Sequence, residues 1–136
     1  MSLSRVGSAN HPLLVAKAAT GIGNVVRISE YQLVTIDVNT DGGGNAALTV
    51  KFQISSSDTK PDFTAAQSST NSWKYAQVID TSNGDIIDGE DGVIAASADV
   101  YRQFELNQNN STWFCAIVTA RTQGSVTVGV KLANNQ

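Results

Sequence analysis

A chain of 136 residues is one domain by length and hides enough surface to fold without covalent staples. Only 15% of its residues are charged, against about 25% in ordinary soluble domains, and Ser, Thr, Asn and Gln fill the polar positions. A net charge of −3 without a basic run argues against nucleic acid, the single Cys115 excludes an internal disulfide and a cysteine zinc site, and no apolar run approaches the length of a membrane span.

Residues 1–23, "MSLSRVGSANHPLLVAKAATGIG", differ from the rest and contain Pro12, Gly7, Gly21, Gly23 and small residues. They read as an extended N-terminal arm with at most a helical turn at 13–19, or as a frayed terminus. An arm carrying Leu13, Leu14 and Val15 needs a place to bury them, and a neighbouring subunit is one such place. Lys17 breaks the apolar run, so no secretory signal is expected and synthesis is assigned to the cytoplasm. Deleting the arm is expected to leave a folded domain at 24–136.

From residue 24 the chain reads as about eight strands. A short one at 24–28 comes first. "YQLVTIDV" (31–38) then places Val34, Ile36 and Val38 on one face. In "ALTVKFQIS" (47–55), Leu48, Val50, Phe52 and Ile54 face one way, while Thr49, Lys51 and Gln53 face the other. The glycine-rich "NTDGGGNA" (39–46) between them is a hairpin tip. A long loop follows at 55–72; Pro61 keeps it out of a central strand, and a helical turn fits near 63–67. "WKYAQVID" (73–80) is a strand rich in aromatic and β-branched residues.

Residues 80–93, "DTSNGDIIDGEDGV", gather five acidic side chains. Their spacing misses the calcium-loop pattern, since the sixth position from Asp80 is Asp85 and the twelfth is Asp91. The preferred reading is a turn between a strand ending at Asp80 and one at 91–96. There Ile86, Ile87, Val93 and Ile94 seek burial and the carboxylates face water; a different kind of calcium site at Asp85, Asp88, Glu90 and Asp91 is the alternative. "VYRQFELN" (100–107) buries Phe104 and Leu106. "TWFCAIVTA" (112–120) is apolar on both faces, as expected of a central strand or of one covered by a partner. "SVTVGVKL" (125–132) turns Val126, Val128, Val130 and Leu132 inward, and turns at 107–111 and 122–124 close the last two hairpins.

No residue pattern names a reaction. His11 is the sole histidine and sits before Pro12, a poor place to orient a catalytic base; Cys115 lies mid-strand, where an inert thiol is usual. "GIG" and "GGG" lack the Lys-Ser/Thr of a phosphate loop, so no cofactor is expected. Trp73, Tyr75 and Trp113 are read first as packing side chains, with a sugar-stacking platform as the rival.

Together, "DF" (62–63), "STNSWKYAQVID" (69–80), "DIIDGEDGV" (85–93) and "FELNQNNSTWFCAIVTARTQGSVTVGVKLANN" (104–135) resemble small β-sandwich virion proteins of tailed bacteriophages, the capsid decoration or cement type. The matching features are Phe63, Trp73, the Gly89/Gly92 turn and the final "GSVTVGV". The resemblance spans 31–135. It implies an all-β, antiparallel, jelly-roll-like sandwich, a homo-oligomer (a trimer favoured), and attachment to the major capsid protein on the virion surface. It transfers no catalytic residue. A tail, baseplate or fibre component, or a carbohydrate-binding module, shares the same architecture. A surface poor in charge and rich in hydroxyls and amides can mate with a partner without stranding charge in a dry interface.

Overall fold

The computed structural model describes residues 8–107 and 111–134, all of them in strands, turns and loops, with no helix among them. The strands are β1 Ser8–Lys17, β2 Gly21–Ile22, β3 Val26–Arg27, β4 Leu33–Asp41, β5 Ala47–Ser55, β6 Lys74–Tyr75, β7 Val78–Asp80, β8 Ile86–Ile87, β9 Val93–Ala96, β10 Tyr101–Leu106, β11 Trp113–Gln123 and β12 Ser125–Ala133. One sheet runs β1-β12-β4-β10-β7-β8. In the other, β2 and β3 share one edge of β11, β5 takes its opposite edge, and β6 and β9 share the far edge of β5.

All these pairings are antiparallel, and the chain crosses between sheets at most connections. If β2/β3 and β6/β9 each count as one position, the path is an eight-position jelly roll, with β7–β8 added beyond β10. The expected sandwich is therefore present, in twelve strands among the described residues rather than eight.

Alternation explains the core. Val34, Ile36 and Val38 of β4, Phe104 and Leu106 of β10, and Val126, Val128, Val130 and Leu132 of β12 are buried from one sheet. Leu48, Val50 and Phe52 of β5 and Phe114, Ala116 and Val118 of β11 meet them from the other. The rings of Phe52 and Phe114 stack at 5.9 Å.

Several expectations are corrected. From Ser8 onward the supposed arm belongs to the sandwich: β1 pairs along β12, and β2 pairs with β11. Pro12 costs nothing on an edge strand, and the register shift between Pro12 and Leu14 turns both Leu13 and Leu14 into the core. That bulge erases the period-two signal. Residues 73–80 are two strands, since β6 joins one sheet and β7 the other. The segments at 39–46 and 122–124 are arches between sheets instead of hairpins, because β4 and β5, like β11 and β12, lie in opposite layers. The expected helical turn at 63–67 is a plain turn. Most of the expected turn at 107–111 lies outside the described residues.

Candidate interaction surface

The long loop between β5 and β6 lies back over the outer face of the β11–β5 sheet. Asn71 ties it together: its side-chain amide donates to the carbonyls of Asp62 (2.9 Å) and Ala66 (3.0 Å), and its oxygen accepts from Asp62 N–H (2.8 Å). Thr64 donates its hydroxyl and its backbone N–H to the Asp62 carboxylate, which holds that group below its usual pKa. The indole N–H of Trp73 donates to Ala65 O (2.9 Å), and that of Trp113 to Ser57 O (3.0 Å).

Beneath the loop is a second small core of Phe63, Trp73 and Cys115, rimmed by Ile22, Val25, Tyr75 and Trp113. Gln53, expected to face water, is fully buried here. Its amide donates to Phe63 O (3.0 Å), and its oxygen accepts from the Cys115 thiol (3.3 Å). A buried amide met on both ends costs little, and it anchors the loop to the sheet. The apolar second face of β11 is thus covered by the chain itself. Burial pushes the Cys115 thiol up to about 12.

Trp73, Tyr75 and Trp113 are brought together on this face. Trp73 is buried and meets Tyr75 edge-on at 5.0 Å. The Lys51 ammonium lies 4.9 Å from the Tyr75 ring, and the Arg27 guanidinium 5.8 Å from Trp113. Both indole N–H groups are spent on the loop, so the trio seals the loop onto the sheet. Leu13 and Leu14 are buried in the main core, whereas Val15 beside them is 69% exposed. Among the described residues, the large apolar side chains that face water are Val15, Leu33, Ile86, Ile94 and Tyr101. Three of these stand on sheet edges: Val15 on β1, Ile86 on β8 and Ile94 on β9. Ile86 and Ile94 were expected inside; strand alternation allows only one of the neighbours Ile86/Ile87 and Val93/Ile94 to face the core, which is the signal available in sequence.

In the acidic segment, Asp80 is buried instead of solvated. One carboxylate oxygen accepts from the Ser82 N–H (2.8 Å) and hydroxyl (2.7 Å), and the other from Arg102 Nη2 (2.7 Å) and Nε (3.0 Å). The Ser82 bonds first, and Arg102 after them, lower its pKa to about 2. Asp88 accepts from Glu90 N–H and shapes the next turn. Among the described residues, no three His, Cys, Asp or Glu side chains converge as metal ligands.

No family model and no curated protein matches the chain. Among solved structures it is similar to the crystal structure of the SPBc2 prophage-derived protein YomS, with a TM-score of 0.71 and 7% identity. The match covers 98% of this chain and 99% of that one. The chain thus shares its fold, nearly end to end, with a prophage-derived protein.

Proposed function

We propose that the protein is a structural component of a tailed-phage particle: a non-enzymatic head-decoration (cement) protein that binds major capsid subunits as a homo-oligomer, with a trimer favoured. The carrying observation is the fold shared over 98% of the chain with a prophage-derived protein. The surface chemistry supports it. Val15, Ile86 and Ile94 put exposed apolar groups on strands that end their sheets, where a neighbouring chain can add contacts. A lattice repeats one weak contact many times, so small patches of this kind suffice for firm attachment. The burial of Cys115 and its raised pKa support a role without a thiol nucleophile.

The test is immunogold labelling of intact particles, together with the solution mass of the purified protein. Label on heads and a mass near three chains are expected, and Ile86→Asp with Ile94→Asp should weaken head binding without unfolding the chain. Label on tails would instead assign the protein to the tail, baseplate or fibre. Its absence from purified particles would overturn the reading.

A further inference from the structure

The outer face of the β1-β12-β4-β10 sheet carries a glycine that the fold does not require. Gly129 sits mid-strand on β12, between the buried Val128 and Val130, so it faces outward. Glycine weakens a strand interior, and is kept there for a left-handed backbone, for a bulge, for a crowded neighbour, or for a ligand or another chain that comes close. The other described glycines either adopt positive φ or leave no room for a Cβ. Gly129 does neither: its backbone avoids the left-handed region, and an added Cβ meets no atom within 4 Å. The bulge opposite it inserts its extra residue in β1, while β12 pairs with β4 without a shift, so the close approach of another molecule remains.

Gly129 forms part of a recess of about 310 Å³, at the small end of ligand sites. Across its middle run Pro12, Gly129, Asp37 and Gln103, in register on four adjacent strands. Asn10 and Lys131 border them. The Asp37 carboxylate makes no hydrogen bond or ion pair among the described residues. The Gly129 backbone and the Pro12 ring give the recess an apolar strip. Around it stand an acceptor (Asp37), amides that both donate and accept (Gln103, Asn10) and a donor (Lys131), with the two charges offsetting. A ligand with one apolar face and a rim of hydroxyls matches this arrangement. On β10, Tyr101 is two residues before Gln103, hence on the same face, and is 72% exposed; its ring is free to stack on a second unit.

We infer that this recess binds a neutral pyranose oligosaccharide, at a site separate from Trp73 and Trp113 and independent of any attachment to capsids. The test screens full-length protein on an array of neutral hexose and N-acetylhexosamine oligosaccharides, then titrates the best of them by NMR. Expected are shifts of the Gly129, Asp37 and Gln103 amides, a tenfold or greater loss of affinity in both Gly129→Val and Asp37→Ala, and an unchanged or higher Tm for Gly129→Val. Any of three results would overturn the inference: no glycan bound; shifts centred on Trp73 and Trp113; or affinity within twofold of wild type in both variants. If Gly129→Val does not fold, Asp37→Ala alone still decides whether the recess binds sugar.

Discussion

A carboxylate taken out of water must be met by donors, and Asp80 is met on both oxygens, by Ser82 and by Arg102. Its pKa falls from 3.8 to about 2, so its contribution to stability is present above pH ~4 and is lost as pH drops through 2. At about 1.4 kcal/mol per pKa unit the ceiling is about 2 kcal/mol, and the Arg102 share is smaller because that side chain is 31% exposed. Asp80→Asn should therefore lower stability at pH 7 and narrow its gap from wild type at pH 2.5; urea melts at the two pH values measure this. Leu14 sets the other limit at this scale. It is 2% exposed inside the bulge of β1, so Leu14→Ala should cost about 2–5 kcal/mol, while Val15→Ala, one residue on, should cost little.

Among the elements, the loop covers the β11–β5 sheet, held by polar bonds around Asn71 and by the small core of Phe63, Trp73 and Cys115. Asn71 supplies three of them, each worth about 1 kcal/mol, so Asn71→Ala should loosen the cover by about 2–3 kcal/mol without unfolding the main core. Cys115 reports the change. In the native protein its thiol is buried with a pKa near 12, and alkylation by iodoacetamide at pH 8 should be very slow. In Asn71→Ala the rate should rise by about 30- to 150-fold, the factor that 2–3 kcal/mol sets on the open population. Trp73→Ala, which removes the side chain between Phe63 and Tyr75, should cost about 3–5 kcal/mol and open the thiol further. Equal alkylation rates in all three proteins would refute the covering role.

At the scale of the molecule, β1 closes the sheet by pairing with β12, near the other end of the chain. Deleting residues 8–23 would remove Leu13 and Leu14, about 3–6 kcal/mol of burial, and expose the edge of β12. A domain of this size holds only about 5–15 kcal/mol, so the truncated chain should be unfolded or aggregated by circular dichroism, not a folded domain lacking an arm. The main ladders join residues distant in sequence, β1 with β12, β12 with β4 and β5 with β11, so refolding should take milliseconds to seconds in stopped-flow fluorescence.

The amino-acid sequence alone determined the all-β class and the inward faces of β4, β5, β10 and β12, because a side chain's face follows from its parity along an extended backbone, a purely local property. It also determined most turn positions, because glycine and Asx chemistry act within a few residues. Only the tertiary structure decided what pairs with what. β1 stayed illegible because Pro12 and the bulge before Leu14 cancel alternation, and its strand character comes from β12, more than a hundred residues away. The fate of Gln53, Trp73 and Trp113 depended on whether the long loop folds back over the sheet. Asp80 went inside because β10 brings Arg102 to it. Gly129 acquired meaning only once its neighbours on β1, β4 and β10 were in place. Each of these is a contact between distant segments, and burial is settled by what arrives on a face, which no local pattern records.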